Sequence, residues 1–178
     1  MVHIWFETHA TTLDNETNRS SGWNDVRVSK AGIKEAKDLG KRRNLNDFDI
    51  VFTSDLVRAY HTATLAFGEN TKKIFQDWRL REVDYGDMTS MPKDEMNKDR
   101  PSRIKNPYPN GESFEMSNMR MFDFLKELAK TSYKEVLIIG HRATHYGLET
   151  YITGKPLEEC INESLSWKWQ PGWEYELK

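Results

Sequence analysis

Cysteine is almost absent from this sequence, since Cys160 is the single one among 178 residues. One thiol cannot form an internal disulfide, which excludes the class of small secreted domains that disulfides stabilise. Long apolar runs are absent too, because no segment approaches the roughly 20 apolar residues that a helix needs to cross a bilayer. The segment Met1 to Phe6 lacks the basic leader and long apolar stretch of a secretion signal. We therefore expect a cytoplasmic protein that does not act at a membrane.

An excess of charge of one sign is also lacking. The 26 lysines and arginines nearly balance the 28 aspartates and glutamates, which leaves a formal net charge of −2. Charges of both signs are interspersed, so no overall field attracts nucleic acid or an anionic membrane. We expect a small-molecule partner, and any site for an anion must be built locally. The length fits a single domain, residues 1–178, with one core.

Four short apolar segments favour buried strands, and the stretches between them favour helices. Two early helices have the N-cap candidates Ser29 and Ser54, and a longer helix follows Ser113. A further helix is predicted from Ala143 to Thr153, ending before Gly154. The predicted strands are Val2 to Phe6, Ile50 to Phe52, Ile74 to Phe75 and Val136 to Ile139.

Two segments interrupt this alternation. Residues 91–110 contain four prolines, and we interpret them as an irregular surface excursion within a small loop-rich cap around residues 83–112. Near the end of the chain, alternating aromatic residues on either side of Pro171 and Gly172 predict an antiparallel hairpin over residues 167–177.

Strands that alternate with helices predict an α/β fold of three layers, in which a mainly parallel sheet has helices on both faces. Ligands bind such sheets beyond the carboxyl ends of the strands. Four polar residues fall there: His9 after the first strand, Arg58 in the helix after the second, Glu82 after the third and His141 after the fourth. We expect one crevice to collect all four.

Two histidines, an arginine and a carboxyl group in one crevice are typical of phosphoryl transfer through a covalent intermediate. A neutral imidazole attacks phosphorus when a hydrogen bond to its other ring nitrogen fixes the tautomer. Arg58, His141 and backbone amides are candidate donors to the phosphoryl oxygens. Glu82 is the candidate proton donor to the leaving oxygen. This set of residues requires neither a metal nor an organic cofactor.

Six short motifs stand in a fixed order along the chain, and six in order are far more specific than any one of them. Through them the chain resembles the histidine phosphatase superfamily, whose members are similar to cofactor-dependent phosphoglycerate mutases, over nearly its whole length. The motifs are Phe6-Glu7-Thr8-His9-Ala10-Thr11-Thr12 with Asn15; Ser21-Gly22-Trp23-Asn24-Asp25 with Gly32; Phe52-Thr53-Ser54-Asp55-Leu56-Val57-Arg58-Ala59; Leu80-Arg81-Glu82; Asn110-Gly111-Glu112-Ser113; and Ile139-Gly140-His141.

The resemblance implies a phosphoglycerate mutase-like fold and a metal-independent phosphatase that acts on a small phosphorylated metabolite. It implies that His9 is phosphorylated, that Arg58 and His141 bind the phosphoryl group, and that Glu82 is the proton donor. Asn15, together with Gly22 of the second motif, is expected at the phosphate pocket.

One motif departs from the family pattern, which has Arg-His-Gly where this chain has Thr8-His9-Ala10. Loss of one preorganised donor typically slows a reaction about 10²- to 10³-fold, a small part of the total acceleration of an enzyme. Arg142 follows the second histidine, where the family usually has a small residue. We expect Thr8 and Arg142 at the phosphate, with Arg142 supplying, from the far side of the pocket, the charge that Thr8 lacks. A surface salt bridge is the other interpretation of Arg142.

Other interpretations of the whole chain stay open at this point. If loss of the first-motif arginine has stopped turnover, the protein is a non-catalytic module that binds a phosphorylated ligand. A phosphotransferase of the phosphoglycerate mutase type is the third possibility. Hydrolysis of nonspecific aryl phosphates separates these alternatives from a phosphatase.

Single residues have competing interpretations as well. Asp84 competes with Glu82 as the carboxyl group that matters. His141 and His145 have the i, i+4 spacing of a zinc pair, but the glutamate of the His-Glu-x-x-His motif is absent. The pocket beyond the phosphate is expected near Trp23, Tyr85 and residues 106–113.

Overall fold

Strands and helices alternate along the chain, which the computed structural model describes over residues 1–69, 71–163 and 170–178. Each of the four strands that the apolar segments predict is present and is one or two residues longer than predicted. The strands are β1 (Val2–Thr8), β2 (Ile50–Thr53), β3 (Ile74–Gln76), β4 (Glu135–Gly140) and β5 (Trp173–Leu177). The α-helices are α1 (Leu13–Glu16), α2 (Lys30–Arg42), α3 (Val57–Phe67), α4 (Lys93–Asp99), α5 (Phe114–Leu128), α6 (Arg142–Leu148) and α7 (Leu157–Glu163).

The five strands form one sheet in the order β3-β2-β4-β1-β5. β1 pairs in parallel with β4, β4 with β2, and β2 with β3, whereas β5 runs antiparallel to β1 at the edge. Parallel neighbours need crossover connections, and the helices between the strands supply them. The predicted α/β fold with a mainly parallel sheet is confirmed.

Helices cover both faces of the sheet. Successive residues of a strand point to opposite faces, so the strands contribute side chains to the contacts on each face. On one face, Ile4 and Ile138 belong to a buried cluster with Leu125 of α5. On the other face, Leu137 belongs to a second cluster with Leu39 of α2 and with residues of α3. Both layers consist mainly of buried apolar side chains, so the central strands are covered on both faces.

Two of the three predicted N-caps are confirmed. The Ser29 hydroxyl accepts the Gly32 N–H at 3.2 Å at the start of α2, and the Ser113 hydroxyl accepts the Met116 N–H at 3.1 Å at the start of α5. These side chains satisfy backbone donors that have no partner within the first turn of a helix.

The predicted N-cap at Ser54 is wrong. Helix α3 begins later, at Val57, and the Asp25 carboxylate accepts the Val57 N–H at 3.0 Å. The Ser54 hydroxyl lies instead 2.6 Å from Nε2 of His141. Because Ser54 directly follows β2, its side chain lies at the edge of the sheet next to the end of β4, where a buried ring nitrogen needs a partner.

The interpretation of residues 91–110 as an irregular surface excursion is wrong for its first part, whereas residues 104–110 are irregular and mostly exposed. Residues 93–99 form α4, which runs into a 3₁₀ turn at Arg100–Arg103, and Met96 and Arg100 are buried. Proline begins this helix instead of breaking it, because Pro92 stands at the N-cap, where no intrahelical N–H bond is lost. Met96 belongs to a third buried cluster, which also contains aromatic residues of neighbouring segments.

The second arm of the predicted tail hairpin is present as β5, and the first arm lies outside the described residues. The helix predicted over residues 143–153 is α6, continued by a π turn at Glu149–Thr153. It ends at Gly154, whose φ of +78° favours glycine. Within the described residues, no helix is both long enough and apolar enough to cross a membrane.

Candidate active site

The register of β1 and β4 places two histidines side by side at the carboxyl edge of the sheet. Thr8 pairs with Gly140, and one residue further along, the His9 N–H donates to the Gly140 carbonyl at 2.9 Å. The ring centroids of His9 and His141 are 5.1 Å apart. Both rings line a cavity of about 590 Å³, which is large enough for a small metabolite.

A single hydrogen bond fixes the tautomer of His9. Its Nδ1–H donates to the Ala10 carbonyl at 2.8 Å, and since a carbonyl can only accept, the proton is on Nδ1 and the lone pair is on Nε2. Burial, followed by the positive charge of Arg58, lowers the pKa of His9 to about 3. The Ala10 N–H donates to the Thr62 hydroxyl at 3.0 Å, which holds this loop. The result is a neutral, oriented imidazole of the kind that acts as a nucleophile.

His141 is more deeply buried, with 1% of its surface exposed. Ser54 contacts its Nε2, whereas its Nδ1 is buried and has no hydrogen-bond partner among the residues that the structure describes. Burial, then the positive charge of Arg58, lowers the pKa of His141 well below its ordinary value. A Cβ at Gly140 would lie 2.5 Å from Thr144 Oγ1, so glycine is required there for α6 to start this close to the strand.

Arg58 is a buried cation, and its hydrogen bonds within the described part of the chain go to neutral carbonyl groups. One of its terminal nitrogens donates to the Asn24 carbonyl at 3.0 Å and the other to the Gly22 carbonyl at 2.7 Å. Gly22 has a φ of +49°, and a Cβ there would come within 3.1 Å of the Tyr85 ring. Burial lowers the pKa of Arg58 from its ordinary value. Glu82 and Asp25 act on this charge from a distance and partly offset the effect of burial. Arg58 lines the cavity, where its charge favours an anion.

Glu82 lines the same cavity, and its Oε1 accepts the Val83 N–H at 2.9 Å. Its backbone is anchored from two sides, because the Glu82 carbonyl accepts Trp23 Nε1–H at 2.7 Å and an Arg120 N–H at 2.8 Å. Arg120 is in turn held by Glu112 at 2.9 Å. The glutamate of the fifth motif thus fixes the loop that carries Glu82.

The competing carboxylate, Asp84, has a different partner. Its Oδ1 accepts the Gly86 N–H at 2.9 Å within a turn. Of the two candidate carboxylates, Glu82 is the one that lines the cavity.

Asn15 and Thr8 also line the cavity, as expected. The Asn15 side-chain oxygen accepts the Thr12 N–H at 3.1 Å, and the Asn15 N–H donates to the Thr12 hydroxyl at 3.1 Å. This reciprocal capping of α1 commits the amide oxygen and leaves the amide NH₂ group for another acceptor.

Arg142, the first residue of α6, lines the cavity that Thr8 also lines. Phe6 of β1 stacks on His145 of α6, with ring centroids 5.6 Å apart. Thr8 lies two residues after Phe6 in β1, and Arg142 lies three residues, nearly one helical turn, before His145 in α6. Starting from the contact between Phe6 and His145, both shifts lead toward the carboxyl edge of the sheet. The two elements therefore place Thr8 and Arg142 at the same level.

Reasoning from the sequence missed several residues of this cavity. Lys93, Asn97 and Arg100 line it from α4 and the turn that follows. Their i, i+4, i+7 spacing is the pattern of one helix face and was the available signal. The roles of Ser54 and Thr62 had no comparable signal in the sequence.

The two histidines with the i, i+4 spacing of a zinc pair, His141 and His145, have different partners. His145 Nε2 faces Glu149 at 3.5 Å, whereas His141 Nε2 contacts Ser54. Over residues 1–69, 71–163 and 170–178, no three His, Cys, Asp or Glu side chains form a group that could hold a metal ion.

The residues expected beyond the phosphate divide into two groups. Tyr85 lines the cavity, while Trp23 supports the backbone of Glu82. Tyr108, from the segment 106–113, packs on Tyr85 with ring centroids 5.1 Å apart. This segment therefore buttresses a residue of the cavity wall.

The neutral state of His141 predicts a specific dependence of stability on pH. The folded state keeps this ring unprotonated, whereas the unfolded chain binds a proton near pH 6.5. The free energy of unfolding is therefore highest above pH 6.5 and falls as the pH is lowered, by up to about 1.4 kcal/mol per pH unit. In His141→Gln this part of the slope between pH 6 and pH 4.5 disappears. Urea denaturation of both proteins measures it, with pH 8 as reference; equal slopes would contradict the neutral ring.

Comparison with known proteins shows which family this chain belongs to. A model of the histidine phosphatase superfamily (branch 1) matches residues 4–166. The uncharacterized phosphatase PhoE of Bacillus subtilis is 30% identical over 171 residues, which cover 93% of this chain and 87% of PhoE. The 2,3-bisphosphoglycerate-dependent phosphoglycerate mutase of Methanococcus vannielii is 26% identical over 200 residues, 90% of this chain and 85% of the mutase. The crystal structure of the alpha-ribazole phosphatase from Shigella flexneri has the same fold, with a TM-score of 0.79 at 24% identity over 90% of this chain and 84% of that one. The chain belongs to the histidine phosphatase superfamily, as the order of its motifs predicts.

Proposed function

We propose that this protein is a metal-independent phosphatase that hydrolyses a small phosphorylated metabolite through a phosphohistidine on His9. The observation that carries the proposal is the hydrogen bond from His9 Nδ1–H to the Ala10 carbonyl. It leaves Nε2 of a neutral ring available in a cavity that Arg58, His141 and Glu82 also line. Nucleophile, phosphoryl-binding groups and proton donor are then present together.

In the first step, His9 Nε2 attacks phosphorus, the N–P bond forms and the bond from phosphorus to the leaving oxygen breaks. Glu82 gives its proton to that oxygen. Arg58 donates to the phosphoryl oxygens through the N–H groups that the two carbonyls do not use. His141 donates from Nδ1–H, a tautomer that the Ser54 hydroxyl supports by donating to Nε2. The partnerless Nδ1 of His141 thereby gains the acceptor that it lacks.

In the second step, a water molecule attacks phosphorus from the side that the leaving group has vacated. Glu82, now a carboxylate, takes the proton from this water, the N–P bond breaks and inorganic phosphate leaves. The electron pair of the broken bond returns to His9 Nε2, and the cycle closes with the ring neutral.

Arg142 replaces the arginine that the first motif lacks. A dianionic phosphate needs more positive charge than Arg58 supplies, and both imidazoles are neutral. Arg142 lies at the level of Thr8 and lines the same cavity. Its planar guanidinium can donate to two oxygens at once.

The segment around residues 83–112 acts as a cap on this cavity, since it contributes Tyr85, Lys93 and Arg100 to the lining. The reaction takes place in the cytoplasm, where the single cysteine, Cys160, stays a buried free thiol.

The first functional prediction is that His9→Ala abolishes hydrolysis of aryl phosphates, because no other group can accept the phosphoryl group. In the wild-type protein, acid-labile and base-stable phosphate labelling should appear on His9 during turnover. The matched control is His61→Gln, which removes a histidine of α3 that is not among the cavity residues. Activity of His9→Ala close to that of the wild type would refute the mechanism. Labelling without release of phosphate to water would favour a phosphotransferase, and phosphate binding with neither would favour a binding module.

The second functional prediction concerns Glu82→Gln, which keeps the size of the side chain and removes its acidic proton. Esters with poor leaving groups should lose far more activity than activated aryl phosphates, whose leaving oxygens need no proton. A series of aryl and alkyl phosphates measures this contrast as kcat/KM. Asp84→Asn is the control, and a larger selective loss there would assign the acid to Asp84.

The third functional prediction is that Arg142→Met lowers kcat/KM and vanadate affinity by about 10²-fold, the effect typical of one lost oxyanion donor. Arg142→Lys keeps the charge but not the planar fork, so its loss should be smaller. Addition of Thr8→Arg to Arg142→Met should restore part of the activity. Kinetics of Arg142→Met equal to those of the wild type would contradict this role.

A further inference from the structure

Glu82 lies on a segment that no regular secondary structure holds. Strand β3 ends at Gln76, and the 3₁₀ turn at Trp78–Leu80 ends two residues before Glu82. Residues 81–85, all of which the structure describes, belong to no helix or strand. A proton donor must nevertheless stay within hydrogen-bond reach of the leaving oxygen. Contacts other than those of the sheet therefore have to fix the direction of this side chain.

The guanidinium of Arg120, on α5, supplies this support. Its Nη1 donates to the carbonyls of Arg79 and Arg81, both at 2.8 Å, and its Nη2 donates to the Glu82 carbonyl at 2.8 Å. The remaining donors, Nε–H and the second Nη2–H, go to the two carboxylate oxygens of Glu112 at 3.0 and 2.9 Å. A guanidinium has five N–H groups, so every one of them is used. Arg120 is 7% exposed, which shields these bonds from water.

Glu112 is itself tied to the segment that follows Glu82. Its N–H donates to the Asp84 carbonyl at 2.9 Å, and its Oε2 accepts the Asp84 N–H at 3.1 Å. This approach requires Gly111, since a Cβ there would lie 2.4 Å from the Asp84 carbonyl oxygen. The Glu112 carboxylate thus holds the guanidinium and the backbone after Glu82 at once, so the ion pair fixes the chain on both sides of Glu82.

The Glu82 carbonyl has no freedom to turn. Its oxygen accepts Trp23 Nε1–H at 2.7 Å and Arg120 Nη2–H at 2.8 Å, and these bonds use both of its lone pairs. The same peptide unit carries the Val83 N–H, which donates to Glu82 Oε1 at 2.9 Å. Arg120 therefore controls the direction of the carboxyl group through the backbone, although it is not among the residues that line the cavity.

We propose that Arg120 is a positioning residue for proton transfer: held by Glu112, it fixes the peptide unit whose N–H orients the Glu82 carboxyl group. A displacement of about 1 Å at a reacting group can slow a reaction about 10²-fold. Loss of this support should slow the step that needs the proton and have little effect on esters whose leaving oxygen departs as an anion. This inference rests on the proposed role of Glu82 as the acid.

Kinetics of Arg120→Lys and Glu112→Gln over a series of alkyl and aryl phosphates test this role. Lysine keeps the charge but not the planar fork of five donors, and glutamine replaces one acceptor oxygen by an NH₂ group. For alkyl phosphates kcat/KM should fall about 10- to 100-fold, whereas for activated aryl phosphates it should fall at most about threefold. The rate then depends more steeply on the leaving group, as in Glu82→Gln. Either variant carries the test if the other does not fold.

Asn118→Ala is the matched control on the same helix. Asn118 is also buried, with 5% of its surface exposed, but its amide NH₂ donates to the Thr150 hydroxyl at 2.9 Å. The control loses a buried hydrogen bond away from the segment of Glu82, so it reports the effect of lower stability alone. Its dependence on the leaving group should equal that of the wild type.

A double-mutant cycle separates positioning from general destabilisation. In a Glu82→Gln background no acidic proton remains to be positioned, so Arg120→Lys should add at most about a threefold loss with alkyl phosphates. An equal loss for all esters in both single variants, or a full further loss in the Glu82→Gln background, would overturn the positioning role alone. If Glu82→Gln itself showed no contrast between esters, the proposed acid would be wrong and the inference would fall with it.

Discussion

The parallel pairing of β1 with β4 is the constraint on which the rest of the site depends. Its last bond, from the His9 N–H to the Gly140 carbonyl, continues the ladder beyond the strands and brings His9 level with His141. A shift of one residue in this pairing would turn every side chain of a strand to the opposite face. The buried apolar residues on both faces of the sheet prevent such a shift, so the hydrophobic core sets the distance between the two histidines.

Burial decides the chemical state of the groups at this edge. It is the largest cause of the lowered pKa of His9, of His141 and of Arg58. Neutral carbonyls hold Arg58, so the cation is oriented without losing its charge to a carboxylate. A site with neutral imidazoles and a guanidinium that is held by carbonyls favours an anion, which accepts the available N–H groups.

Two parts of the cavity wall are joined through their backbones. The Ser20 N–H donates to the Met91 carbonyl at 3.0 Å, and the Ser90 N–H donates to the Ser20 carbonyl at 2.7 Å. The same early loop contains Gly22, whose carbonyl holds Arg58. The loop that positions Arg58 therefore also positions α4, so Arg58 and the cavity residues of α4 have a fixed separation.

The sequence by itself determined the alternation of strands and helices, the caps at Ser29 and Ser113, and family membership, because periodicity, capping and motif order are local properties of the chain. It also placed the four proposed chemical residues at one edge of the sheet, since parallel strands end together. Only the tertiary structure decided that Ser54 contacts a histidine instead of capping a helix, and that Lys93 and Arg100 line the cavity from a segment rich in proline. The physical reason is that a buried polar group takes its partner from whichever residue packing brings near, and that residue can be distant in sequence.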